Sequence, residues 1–288
     1  MGEKDISEKL LIDYNDVFAD IVNVCVFNGV EKIKQDDLEK AAVYSQYKAE
    51  DGKLHQEGRD VAKYWKRKQM TIAMYGIENQ SKVDKNMPFR IIAYDGASYR
   101  TQLLAKRKRI APVVSLVLYF GTEARWEDYK SIKELMSFPK ELDGYVNDYK
   151  INVIEVAWLT EEQLRMFKSD FGIVANFFVQ RRKNKEYIPN DKREFQHVDE
   201  VLKLLSVMTG DNSYEEILYN KAENKKERVK SMCEVADRLK KLGKNEGINK
   251  ERARQIKIKL EKGKTVEEIA DMLELTLDEV SHVMEALV

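Results

Sequence analysis

The chain predicts an α/β fold, a sheet with helical cover, on three observations. The runs MTIAMYGI at 70–77 and PVVSLVLYFG at 112–121 are long and nearly continuously apolar, as strands covered on both faces are. The segment between them, 87–104, repeats its apolar residues at helical spacing. Strand-like and helix-like segments then alternate along the chain, which is the pattern of a sheet packed against helices.

The elements follow in order. From Leu10 to Phe27 the residues Leu10, Tyr14, Val17, Phe18, Ile21 and Cys25 form one helical stripe, with Asp13, Asp16 and Asp20 together on its flank. Asn28-Gly29 stops that helix. Residues 31–57 are polar and mixed, with a turn signal at Asp51-Gly52. GRDVAKYW at 58–65 and MTIAMYGIENQ at 70–80 read as two strands separated by the charged break KRKQ. The helix over 87–104 opens with Pro88, suited to a first turn, and ends before the basic connector Lys106–Arg109. After the strand at 112–121 come helical stretches near 127–137, a strand at 151–157 and helices from 160 to 180. RRKNKEYIPNDKRE at 181–194 is a charged linker, and the rest is helical and highly charged. Three regions result: an α/β domain over 1–180, a charged helical linker region over 181–245, and a helical tail over 246–288.

Composition excludes several function classes. The 50 basic and 50 acidic residues cancel, so nucleic-acid affinity has to come from a local patch. Cys25 and Cys233 lie far apart and form no metal or disulfide pattern, which predicts buried free thiols in a reducing compartment. The first residues are polar and no apolar run reaches membrane-spanning length, so a cytoplasmic protein without membrane attachment is expected. His55, His197 and His282 are scattered singly, without a second ligand at metal spacing. Neither a nucleophile elbow nor a Gly-rich phosphate loop is present.

The end of the second strand carries the chemistry. Side chains alternate along a strand, so Met74, Gly76, Glu78 and Gln80 share one face and Asn79 takes the other. Gly76 leaves open the space beside Glu78. Asp60 opens the preceding strand, and if the two strands are neighbours Asp60 and Glu78 converge. Paired carboxylates with neighbouring carbonyl-type ligands suit a hard divalent cation such as Mg²⁺. Such an ion lowers the pKa of a bound water and stabilises charge developing on a phosphodiester.

An Asp, then an apolar strand ending in Glu-x-Gln, then a helix, resembles the PD-(D/E)XK nuclease superfamily. The resemblance is closer to one branch, the recombination-promoting nuclease (Rpn) family, whose members also carry the label of transposase. It rests on Phe18-Ala19-Asp20 with Asn23, Arg59-Asp60-Val61, GIENQ at 76–80, MPFR at 87–90 with Tyr94, PVVSLVLYFG at 112–121 and LDGYVNDYKINVIEVAWL at 142–159. It extends over residues 10–180. It implies a PD-(D/E)XK core, a mixed sheet flanked by helices, followed by an all-helical C-terminal region. It also implies a metal-dependent DNA endonuclease that promotes recombination, with Mg²⁺ or Mn²⁺ held by Asp60 and Glu78. Gln80 stands where the superfamily pattern has Lys, and Asp20 is the acidic residue expected from the first helix. A neutral amide donates hydrogen bonds but brings no positive charge, so Lys63 or Lys82 would have to supply it. Lys63, Lys82, Arg90 and Tyr94 are the DNA contacts the pattern suggests. The rival reading is a catalytically weakened DNA-binding or regulatory protein of a mobile element that keeps the nuclease scaffold.

The tail is a separate matter. Thr265 and Glu268 have capping-box spacing, and two short amphipathic helices with a turn at Leu275 resemble a helix-turn-helix. The second helix carries Asp278, Glu279 and Glu285 and no Lys or Arg, which DNA phosphates would repel. Packing or self-association, and so a homodimer paired through the tail, is the expected role. The basic stretch KERARQIKIKLEKGK just before it is the tail's own candidate for a DNA-backbone contact.

Overall fold

The computed structural model describes residues 11–42, 44–48, 54–67, 70–106, 109–219 and 229–285. The turn expected at Asp51-Gly52 and residues 107 and 108 of the basic connector lie outside them. The chain forms two compact units, Met1–Cys233 and Glu234–Val288.

The first unit is built on a mixed five-stranded sheet flanked by helices, the α/β architecture expected. Helix α1 is Asn15–Cys25. The strands are β1 Leu38–Lys40, β2 Tyr44–Lys48, β3 Leu54–Gly58, β4 Val61–Arg67, β5 Met70–Gln80, β6 Val113–Tyr119 and β7 Asn152–Glu155. Helix α2, Met87–Leu104, connects β5 to β6. The sheet order is β1-β4-β5-β6-β7, antiparallel on the β1, β4 and β5 side and parallel from β5 through β7. A parallel neighbour needs a crossover, and α2 supplies it between β5 and β6. Within the polar stretch 31–57, β1 adds to the sheet edge and β2 and β3 form a separate hairpin.

Side-chain alternation sorts the sheet into two faces. Val117 and Tyr119 of β6 pack with Met87, Ile91 and Tyr94 of α2 and with Trp126 and Ile151. The opposite face of the same strand ends at Phe120, which meets Phe171 and Phe178 of helix α4, Phe171–Lys183. Helix α1 belongs to that second face, with Phe18 beneath the Lys63 ammonium of β4 and the following Phe27 against Trp65. Both faces are therefore covered, which is why β5 and β6 read as continuous apolar runs.

One expected element is absent. Residues 127–137 hold a single 3₁₀ turn, Lys133–Leu135, in place of helical stretches. Ser131 makes an antiparallel bridge to Lys150, and the Lys133 amide donates to Asp148. Those long-range partners take the backbone groups that a helix would have used. The strand expected over 151–157 ends at Glu155 and turns through Val156–Trp158.

Helices α3 (Glu161–Met166), α5 (Val198–Thr209) and α6 (Ser213–Tyr219) complete the first unit. The two cysteines are free and half-buried, and burial, with the Asp20 charge adding to it, pushes the Cys25 thiol up to about 12. The long helix α7, Met232–Glu261, leads into the second unit, which ends with α8 (Val266–Leu273) and α9 (Leu277–Glu285). Its core is Ile256, Ile269, Ala270 and Val280, with Leu260, Leu273, Leu275 and Val283 around it. The capping box forms as the spacing predicts: Thr265 accepts from the Glu268 amide, and Glu268 accepts from the Thr265 amide. Among the described residues no helix is long and apolar enough to cross a membrane.

Candidate active site

Strand register creates the site. Val61 pairs with Ile77, so Asp60, one residue before β4, comes opposite Glu78. The Asp60 amide donates to Glu78 Oε1 at 3.3 Å, and the Asn79 amide donates to Asp60 Oδ2 at 2.8 Å. Glu78 is 2% exposed. Burial raises its pKa to about 8, and the charge on Asp60 adds to the rise; Arg90, Arg59 and the Asp60 amide pull weakly the other way.

Helix α2 supplies the positive side of the site. Arg90 sits in its first turn and donates from Nη2 to Glu78 Oε2 at 3.3 Å, from Nη1 to Asp84 at 2.9 Å and from Nε to the Tyr94 hydroxyl at 3.2 Å. Burial works against its charge, but the hydrogen bonds to Tyr94 and Asp84 win and raise its pKa. Arg90 is also within cation–π range of the Tyr94 ring, with Cζ 5.9 Å from its centroid.

A buried network lies behind this edge. Arg59 donates to Asp95, which also accepts from the Ser115 and Tyr149 hydroxyls. Burial, with the hydrogen bond to Asp95 next, raises the Tyr149 pKa. Arg59 reaches Asp95 by crossing Gly76, where an added Cβ would lie 2.1 Å from Arg59 Nη1. The expectation that Gly76 leaves open space beside Glu78 is therefore corrected. Arg59 fills that space, because a buried guanidinium needs its carboxylate partner more than the strand needs a side chain there.

Not every residue suggested by the sequence is brought to this point. Asp60 and Glu78 meet, Arg90 and Tyr94 join them, and Gln80 ends β5 half-buried on the face of Glu78. Asp20, Lys63 and Lys82 are not gathered there. Asp20 accepts from the Lys168 and Ser169 amides and the Ser169 hydroxyl, which ties α1 to the start of α4. Lys63 is fully buried and donates to the Asp13 carbonyl and the Asn15 side chain at the start of α1. Lys82 is exposed beyond the last residue of β5, since extension does not continue past Gln80. The three aspartates expected on the flank of the first helix diverge: Asp13, which precedes α1, pairs with Lys40, and Asp16 with His197.

Sequence reasoning missed Arg59, Asp84, Asp95 and Tyr149. A signal existed for Asp95, which stands with Ile91, Tyr94, Ser98 and Gln102 on the buried stripe of α2, where an ionisable residue requires a partner. The partners themselves come from segments distant in sequence and carried no local mark.

The donor chemistry fits a hard divalent cation. Among the described residues no group of three His, Cys, Asp or Glu is placed to hold a metal. Mg²⁺, however, is commonly bound by one or two carboxylates and keeps several waters or substrate phosphates. Asp60 and Glu78 would offer two oxygen donors of that kind. A carboxylate whose charge is disfavoured by burial and a like neighbour is one that an added cation would stabilise.

A family model described as "Putative transposase, YhgA-like" matches residues 54–208, more than half of the chain. The chain belongs to that family. The match takes in β3 through α5, so the family segment contains Asp60, Glu78, Gln80 and Arg90, while α1 with Asp20 and the whole second unit lie outside it. No curated protein and no solved structure gives a significant match.

Proposed function

We propose that this member of the YhgA-like family is a metal-dependent DNA endonuclease with a PD-(D/E)XK core, promoting recombination by hydrolysing phosphodiesters. The observation that carries the reading is the contact between Asp60 and Glu78 at one end of a mixed sheet, with the Glu78 carboxylate buried and its pKa raised to about 8. A carboxylate perturbed by burial together with a specific charged partner is a functional-site candidate.

Asp60 and Glu78 would hold Mg²⁺, or Mn²⁺, which when bound lowers the pKa of a water and stabilises charge on the phosphodiester. The chain's own part is positioning. The Asn79 amide fixes the Asp60 carboxylate and the Asp60 amide fixes Glu78, so each ligand is oriented by the backbone of the other's strand. Gln80, on the same strand face as Glu78, orients water or phosphate through its amide. In the reaction the water oxygen bonds to phosphorus as one P–O ester bond breaks. The water's proton passes to solvent and the leaving oxygen takes one up, so each cut consumes one water. DNA-backbone contacts would come from exposed basic groups such as Lys82, just past the strand end, and Lys106 and Arg109, beyond the other end of α2. Two chains would pair through the helical tail. Sedimentation of the intact chain as a monomer would exclude that pairing.

Supercoiled plasmid incubated with Mg²⁺ or Mn²⁺ tests the activity. Wild type is expected to nick or linearise it, with Asp60→Ala and Glu78→Ala slower by about 10²-fold or more. No cleavage in either metal, or equal cleavage by Asp60→Ala, rejects the reading. A second reading, a DNA-binding or regulatory protein on a relic nuclease scaffold, is favoured by Gln80 in the place of Lys. It predicts DNA retention in a gel shift without cleavage in either metal.

A further inference from the structure

Gln80 leaves the candidate site without the cation its strand would ordinarily carry, so the cations around Glu78 have to be weighed. Arg59 influences Glu78 electrostatically, but its side chain is only 2% exposed and it is paired with Asp95. Lys63 is fully buried against the start of α1. Arg90 differs from both: it lies 3.3 Å from Glu78 and its side chain is 36% exposed.

We propose that Arg90 supplies the positive charge that Gln80 lacks, by binding a non-bridging phosphate oxygen of the substrate beside the Asp60–Glu78 pair. The inference rests on the nuclease reading above and adds a named residue to it.

The geometry of the guanidinium supports this role. Asp84 holds Nη1, Tyr94 holds Nε and Glu78 holds Nη2, so the fork is fixed in place before any substrate arrives. A guanidinium carries five N–H groups; those partners engage three, which leaves one on each terminal nitrogen. Each remaining N–H can donate a charge-assisted hydrogen bond to a phosphate oxygen. The site's negative groups also ask for it. Asp60 and Glu78 meet at the strand end, and Arg90 links Glu78 to Asp84, so acidic groups outnumber the cations beside a phosphodiester approaching that point. Arg90 offsets the shortage where negative charge grows on phosphorus-bound oxygens as water attacks. It reaches this position from the first turn of α2, whereas position 80 is on the strand. The charge comes from a different element, although it serves the same face of the sheet.

The test combines removal with relocation of the charge. Plasmid cleavage is measured in Mg²⁺ and Mn²⁺ for wild type, Arg90→Met, Arg90→Lys, Gln80→Lys and the double variant Arg90→Met with Gln80→Lys. Methionine keeps the apolar contact with Tyr94, and thermal melts establish that each variant is folded. Arg90→Met is expected to lose about 10²-fold in rate, the usual cost of one transition-state donor. The double variant is expected to regain at least about tenfold, a rescue that a merely structural Arg90 would not allow. Arg90→Lys, which keeps the charge but not the fork, is expected to fall between wild type and Arg90→Met, and it replaces the methionine variant if that one unfolds. Mn²⁺ binding, read by electron paramagnetic resonance, should be no weaker in Arg90→Met than in wild type, since a competing cation has been removed from Glu78. Cleavage by Arg90→Met within about threefold of wild type overturns the proposal. So does failure of Gln80→Lys to rescue it, or weaker Mn²⁺ binding. A wild type inactive in both metals removes the nuclease reading and this inference with it; an active wild type with an unaffected Arg90→Met removes only the role of Arg90.

Discussion

Gly76→Ala is the most revealing single substitution in the sheet. In a strand interior the change would ordinarily stabilise by about 0.5–1 kcal/mol, because alanine loses less backbone entropy. Here the new Cβ would stand 2.1 Å from Arg59 Nη1 and 2.7 Å from Arg59 Cδ. An arginine tip at the surface would simply move. Arg59 is 2% exposed and held by Asp95, so moving it breaks a buried ion pair. Such a break costs about 3–5 kcal/mol. Asp95 keeps its hydroxyl donors Ser115 and Tyr149, which holds the cost within that range. The net expectation is a loss of about 2–4 kcal/mol once the backbone gain is subtracted. Urea denaturation of Gly76→Ala and wild type measures it, at unchanged m-value. The same substitution in an Arg59→Ala background should be neutral to slightly stabilising, since the clashing atoms are gone; the coupling between the two sites is then about 2–4 kcal/mol. A Gly76→Ala protein within about 0.5 kcal/mol of wild type, or an equal cost in both backgrounds, would refute the packing argument.

Other expectations follow from the same contacts. Glu78 has a folded pKa near 8 against about 4.3 in the unfolded chain, so the folded state binds the extra proton between those values. Its contribution to stability is full below about pH 4 and is lost as pH rises through 8. Melts in EDTA across pH 5–9 should therefore show stability falling more steeply for wild type than for Glu78→Gln, and parallel curves would contradict the burial of that carboxylate. Asp20→Ala strands the Lys168 and Ser169 donors at the start of α4. It should cost about 2–3 kcal/mol in urea melts; a shifted metal dependence of cleavage in place of lost stability would return Asp20 to the active site. Thr265→Ala removes one half of the α8 capping box and should cost about 1 kcal/mol of local stability. Amide exchange over residues 266–269 should accelerate accordingly, and unchanged protection would show that the cap does not hold the helix.

Legibility differed sharply between neighbouring residues. Alternation along MTIAMYGIENQ puts Glu78 and Gln80 on one face, and β4 and β5, only two residues apart in the chain, pair as antiparallel neighbours. Those two local facts bring Asp60 to Glu78. Nothing equally local marks Arg59 as the group that crosses Gly76, because its partner Asp95 lies on a helix that follows β5. The stretch 127–137 shows the opposite error. Its composition suits a helix, but Ser131 and Lys133 find partners at Lys150 and Asp148, and helix propensity is a weak prior against such tertiary contacts. Lys63, on the strand that follows Asp60, is one of the cations the sequence offers to the site. Side-chain direction sends it under α1 instead, a fact that depends on which helix covers which face.

The sequence by itself determined the α/β class, the succession of two strands that bear Asp60 and Glu78 at their ends, and the capping box of the tail; the structure made those strands antiparallel neighbours. Periodicity, turn spacing and capping chemistry are local, and each is written within a few residues. Tertiary structure alone decided which charges gather at the strand end: Arg90 and Asp84 beside Glu78, Arg59 with Asp95 behind it, Asp20 and Lys63 elsewhere. A buried charge takes whichever partner the packing of distant segments brings within reach, and that is fixed only when the sheet acquires its helices.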